Sequence, residues 1–223
     1  MNPTQTTEKK TRRHVVISGT GRAGTSFLMQ LLTNLGFDTG YKDPDKGWNE
    51  HARAGLEWDV RKDTAPYIVK SPYFCEYAAE VLQREDIIIE HLLIPMRNLH
   101  DAAQSRRFVL ESAEAKLPLW KRLVSRVKPL KVPGGLWNFK DRRGQEALLL
   151  KMLYTLVLAA SEAETPVTLL QFPKLVRDSS YLYRKLKPIL GTISPAEFSA
   201  AFAQAARPEW VHDFQKQADP RRG

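Results

Sequence analysis

Cysteine is almost missing from this 223-residue chain: Cys75 is the single copy, so no internal disulfide and no cysteine-based metal site can be built, and a reducing setting fits. Long apolar runs are missing too. No stretch reaches the roughly eighteen residues a membrane span needs, and the opening MNPTQTTEKKTRR has no apolar segment behind its charges. The expectation is a chain with neither a span nor a signal peptide, retained in the cytoplasm. Acid is scarcer than base, with 25 Asp and Glu against 34 Lys and Arg, a formal charge of +9.

The excess is concentrated. Residues 106–143 hold eleven Lys or Arg and three Asp or Glu, a local balance of +8. Such a run is either a solvated face or a surface for an anionic ligand or an acidic membrane. Nucleic acid is the weakest partner class, because no recognition helix, zinc finger or RNA-binding aromatic signature accompanies the charge. Hydrophobic residues make up 43%, enough for a packed core. The chain divides into a polar tail (1–13), a single domain (14–210) carrying the basic insertion at about 106–143, and a basic tail (211–223), with no internal repeat.

What is present is an alternation of strand and helix patterns. Residues 14–19 (HVVISG) read as a short buried strand and 25–35 as a helix stopped by Gly36. A loop follows to about Gly47. Residues 67–70 read as a strand ending in Ser71-Pro72, 73–84 as a helix, and 87–94 (IIIEHLLI) as a strand covered on both faces. Residues 98–110 read as helical, 111–143 as irregular, 144–162 as a long helix, and 166–171 as a further strand. Two helices, near 175–190 and 195–206, complete the domain. This order predicts an α/β fold with a parallel sheet wrapped by helices and ligands at the carboxyl ends of the strands.

Three strand ends carry chemistry. The first is GTGRAGTS, residues 19–26, a glycine-rich turn from strand into helix that suits a phosphate or is simply a tight turn. It nearly fits G-x-x-x-x-G-K-[ST], but Thr25 stands where the lysine belongs, and Arg22 supplies the cation earlier. The second is RNLHDAAQS, residues 97–105: Arg97 ends a strand and Ser105 lies two helical turns on, a second phosphate site or a surface arginine. The third is VKSPYF, residues 69–74, where Lys70 closes a strand, either to support charge or as a strand-end surface residue. A metal-dependent nucleotide hydrolase needs a strand-end carboxylate, and Glu90 lies in mid-strand instead.

Together these motifs resemble the sulfotransferases that use 3′-phosphoadenosine-5′-phosphosulfate (PAPS), in the style of the glycan-modifying and bacterial branch. GTGRAGTSFL is similar to that family's 5′-phosphosulfate loop through Gly21, Arg22, Ala23, Gly24, Thr25, Ser26 and Phe27. RNLHDAAQS is similar to its 3′-phosphate motif at Arg97, Asn98, Asp101 and Ser105, and VKSPYF to its K-[ST]-P element. Residues 168–191 resemble its C-terminal strand, turn and helix, with Phe172-Pro173-Lys174-Leu175 replacing an acidic turn. The departures are Arg22 for the loop lysine, Leu99 for a proline, and Val69 for the acid that often precedes Lys-Ser-Pro.

The resemblance implies a three-layer P-loop NTPase-like fold and transfer of a sulfuryl group to a hydroxyl or amine of a small-molecule, saccharide or lipid acceptor. The product would be 3′,5′-ADP, with no metal required. It assigns Arg22, Lys70 and the N–H groups of Gly24 to Ser26 to the phosphosulfate, and Arg97 and Ser105 to the 3′-phosphate. The general base falls in residues 47–59, with Glu50 the first choice and His51 the second. The basic insertion would frame the acceptor, with Trp120 and Trp137 available to stack on a ring or face an acidic membrane. The rival readings are a P-loop kinase of a small metabolite using ATP and Mg²⁺, and a nucleotide-binding module without turnover.

Overall fold

The computed structural model describes residues 11–42, 48–49, 54–118, 121, 135–136, 144–207 and 209, with backbone alone at 48–49 and 54–55. Its centre is a four-stranded parallel sheet. Strand β1 (Arg12–Ile17) lies between β4 (Ile68–Lys70) and β5 (Ile87–Met96), and β6 (Val167–Gln171) adds to the far side of β5. Two-residue strands β2 (Trp48–Asn49) and β3 (Ala54–Gly55) pair antiparallel outside it.

Successive residues of β1 face opposite cores, which is why the run is unbroken rather than alternating. Val15 and Ile17 pack with α1 (Thr25–Asn34), α6 (Ser179–Leu190) and α7 (Pro195–Ala205), through Leu28, Leu32, Leu186 and Phe198. Val16 packs on the other side with α2 (Ala78–Leu82) and α4 (Gln145–Glu162), through Val81, Leu156 and Ala160. Helices therefore flank the sheet on both faces. Helix α3 (Leu99–Ala115) meets α4 where Ala102 and Ala103 lie against Leu149. A one-turn helix, α5 (Lys174–Arg177), links β6 to α6.

Four elements differ from the sequence reading, the first being the helix expected near 175–190, which the extended Asp178 breaks into α5 and α6. β1 begins at Arg12, so the last two residues assigned to the tail are strand. Arg12 reaches the carbonyls of Val60 (3.2 Å) and Lys62 (2.6 Å), and Arg13 and Tyr67 both donate to the mid-strand Glu90. Those bonds hold charged residues inside the sheet. Residues 73–84 form a 3₁₀ turn (Phe74–Glu76) and then α2, not one helix. Tyr77 takes a non-helical φ of −136° there, its hydroxyl 2.9 Å from Ser71 Oγ and its ring under Arg61. Helix α3 runs five residues into the segment read as irregular, to Ala115, although its buried stripe of Ala102, Arg106, Val109 and Leu110 ends before them.

Candidate functional site

Residues 18–24 connect β1 to α1 at the carboxyl edge of the sheet. Gly19, Gly21, Arg22 and Gly24 all have positive φ, from 56° to 133°. Backbone of this kind turns neighbouring N–H groups toward a common point, which suits an anion. Helix α1 begins at Gly24 with no side-chain cap and no acid in its first turn, so its first N–H groups are offered to a ligand or to water.

Glycine is required here for two reasons at once. A Cβ on Gly24 would lie 2.9 Å from Leu175 Cδ1 and 3.3 Å from the Phe172 ring, and one on Gly21 would lie 2.6 Å from Arg106 Nη2. The turn after β6 and helix α3 are thus both pressed against the loop. Arg22 takes φ 56° without being glycine, a conformation that surrounding contacts must hold. They do so from both ends: its Nε donates to Ser105 Oγ at 3.2 Å, and its carbonyl accepts from Arg97 Nη1 at 3.0 Å.

Arg97 follows the last residue of β5, with its guanidinium 5.0 Å from the centre of the Phe172 ring. Asn98 caps α3 by accepting from the Asp101 N–H at 3.2 Å. The matched positions Asn98 and Asp101 therefore start the helix that carries Ser105, which is buried.

Lys70 ends β4 on the other flank. It is 3% exposed, its Nζ donates to Ser26 Oγ at 2.9 Å, and Glu57 Oε1 lies 3.7 Å away. Burial pushes its ammonium down to about 8; Glu57 opposes that shift and the nearby Arg22 adds to it. Arg106 is the fourth cation, 5% exposed. It donates to the carbonyls of Thr20 and Gly135, both at 2.6 Å, and burial lowers it to about 10, so it stays charged at neutral pH.

Gly21, Arg22, Gly24, Thr25, Ser26, Lys70, Arg97 and Ser105 thus meet at one place, with Ala23 buried beneath the loop. One detail differs from the sequence reading: the Arg97–Ser105 pair adjoins the loop through Arg22 instead of standing apart. Glu50 and His51 lie outside the described residues, as do Trp120 and Trp137.

Three participants escaped the sequence reading. Arg106 had a signal, a charge on the apolar stripe of α3. Glu57 lies in the very segment searched for a base. Phe172 had none, since its contact with Gly24 and Arg97 exists only after the chain has folded. Among the described residues, no three His, Cys, Asp or Glu gather into a group that could hold a metal ion, and no helix is long and apolar enough to cross a membrane. No protein-family model matches the chain, and no curated protein matches it either.

Proposed function

We propose that this chain is a PAPS-dependent sulfotransferase of P-loop type, moving a sulfuryl group to an acceptor hydroxyl. The observation that carries the reading is the double tie of Arg22 to Arg97 and Ser105, with Lys70 on the opposite flank of the same helix start. This gives two donor sets side by side, which suits a nucleotide with anionic groups at both its 5′ and 3′ positions. The donor chemistry fits: guanidinium and ammonium groups, a hydroxyl and an uncapped helix terminus are all partners for phosphoryl and sulfuryl oxygens.

In this scheme Lys70 and the N–H groups of Gly24 to Ser26 hold the 5′-phosphosulfate, and Arg97 and Ser105 hold the 3′-phosphate. Arg22 bridges the two. The acceptor oxygen attacks sulfur in line as the bond from sulfur to the bridging oxygen breaks. Lys70 and the loop N–H groups stabilise the electron pair left on that oxygen. Glu57 takes the proton leaving the acceptor hydroxyl. It is the carboxylate beside Lys70, and its side chain is 41% exposed, within reach of an incoming substrate. Tyr73, half exposed on the strand-end turn, lies close enough to Glu57 to feel its charge, and offers a flat face beside the base.

The deciding experiment compares thermal shifts with 3′,5′-ADP and with 5′-ADP plus Mg²⁺. Saturation at about a hundred times Kd adds roughly 2.7 kcal/mol. A shift with 3′,5′-ADP that is lost in Arg97→Ala, followed by PAPS-dependent transfer to one of a panel of saccharide, lipid and small-molecule hydroxyls, is the expected result. A shift with 5′-ADP and Mg²⁺ alone would replace this reading by a kinase, and binding with no turnover on any acceptor by a nucleotide-binding module.

A further inference from the structure

Helix α4 is apolar on two faces. Gln145, Leu149, Leu156, Ala159 and Ala160 are buried inward. Facing outward, Ala147, Leu150, Tyr154, Val157 and Ser161 are all exposed, with Tyr154 at 67% and Leu150 at 55%, and Leu158 beside them. A helix apolar all round is normally covered all round. The outward residues recur at alternating steps of three and four, the spacing of a seam that packs against another helix.

The exposed apolar surface continues onto the sheet. β6 is the edge strand, and its register sets Val167 beside Leu92 and Leu169 beside Ile94, on the sheet face that α4 covers. Val167 and Leu169 are nevertheless exposed.

The size of this patch and its symmetry say what covers it. A free large apolar side chain presents on the order of 200 Å². The six exposed side chains of α4 and β6 therefore offer roughly 600 Å², at the upper end of the largest patch on a typical monomer. A standard interface takes about 800 Å² from each partner, which the surrounding Ala147, Lys151, Thr155 and Ser161 complete as a more polar rim. About Tyr154 most of the face is matched in size, although Val157 stands opposite the longer Lys151. Leu150 and Leu158 stand four residues to either side, and the small Ala147 and Ser161 seven residues to either side. In an antiparallel pair about a two-fold axis at Tyr154 these positions meet each other, apolar on apolar and small on small, so the face is complementary to a second copy of itself.

We infer that this face joins two copies of the chain, with α4 packed antiparallel on α4 about a two-fold axis through Tyr154. Leu150 meets the partner's Leu158, Tyr154 meets its own counterpart, and the small residues at the ends let the helices approach. The pairing is independent of what the loop binds.

The test uses the full chain. Light scattering across a concentration series should give twice the monomer mass, and Leu150→Glu with Leu158→Glu should give a monomer whose far-UV spectrum matches wild type and whose melting temperature, unlike that of the dimer, does not change with protein concentration. Cysteine cross-linking reads the geometry. Tyr154→Cys should oxidise to a covalent dimer on its own, with the buried Cys75 as an inert background. Leu150→Cys and Leu158→Cys should each fail alone, because like residues sit about 12 Å apart along the axis, beyond the roughly 7 Å a disulfide spans. Mixed together they should cross-link. A monomer at every concentration, meaning that another segment or protein covers the face, overturns the inference. So does a dimer that survives the paired glutamates, or Leu150→Cys self-linking as readily as Tyr154→Cys.

Discussion

The Arg22 guanidinium donates to the Ser105 hydroxyl at 3.2 Å across 83 residues of sequence. That bond joins the glycine-rich loop after β1 to the helix after β5. With the Arg97 bond to the Arg22 carbonyl, it makes the two strand ends one continuous surface.

Arg97→Ala should therefore weaken 3′,5′-ADP far more than a nucleotide lacking the 3′-phosphate. A hydrogen bond to a charged group contributes about 1.5–3 kcal/mol, roughly a 10- to 150-fold change in Kd. Titration calorimetry with 3′,5′-ADP and 5′-AMP on both proteins checks it. Equal losses for the two ligands would mean that Arg97 acts only by propping up the loop.

Lys70 titrates at about 8, so it carries its charge below that pH and loses it above. Affinity for 3′,5′-ADP should fall as pH rises through about 8 in the wild type, and Lys70→Arg should remove that limb, because arginine stays charged. Glu57 holds the Lys70 value up, so Glu57→Gln should move the limb to lower pH while also abolishing turnover. Binding measured from pH 6 to pH 10 separates the two effects of Glu57.

The same burial makes Lys70 a cost to stability. Its folded value lies below its ordinary 10.5, so the folded chain binds fewer protons than the unfolded one between about 8 and 10.5. Stability rises with pH across that window and bears the full penalty below it. Lys70→Met should then be inactive yet more stable at pH 7, by about 1–3 kcal/mol. Urea unfolding at pH 7 measures this, and a less stable Lys70→Met would show that the Ser26 bond outweighs the burial cost.

Gly24→Ala should strain the loop twice, through its φ of 86° and through the 2.9 Å approach to Leu175. Left-handed backbone costs an alanine about 1–2 kcal/mol, and each kcal/mol lowers Tm by roughly 2–4 °C at this size. Adding Leu175→Ala should relieve the steric part and leave the backbone part. A double-mutant cycle by calorimetry would show favourable coupling between the two.

Two buried histidines weaken the fold toward acid. Burial lowers His14 and His91 below 6.5, so the folded chain binds fewer protons than the unfolded one as pH falls through 6.5. Stability contributed by their neutral rings is present above that pH and lost below it. The urea midpoint should drop between pH 7.5 and pH 5.5, and His91→Gln should flatten the drop.

Much of this molecule is local, and local features are what a sequence carries. The apolar run through Val15–Ile17, the glycine turn into α1, the strand read over 87–94 and the helix Gln145–Glu162 each declare themselves by periodicity and by their stop signals. Their alternation determined a parallel sheet, and so determined that Gly24, Lys70 and Arg97 stand at its carboxyl edge. Arg12 in β1 and the break at Tyr77 were not legible, because long-range hydrogen bonds and packing override the local pattern in each.

Only the tertiary structure decided who touches whom at that edge. That Arg22 reaches Ser105, so far along the chain, rests on the Arg97 bond to its carbonyl and on a left-handed backbone held from two sides. Glu57 and Phe172 entered the site by contacts between residues distant in the chain, to Lys70 and to Gly24. Spacing in sequence specifies a strand, a turn or a helix because those forces act within a few residues. Which side chains converge follows from how the finished elements pack, a property no single segment holds.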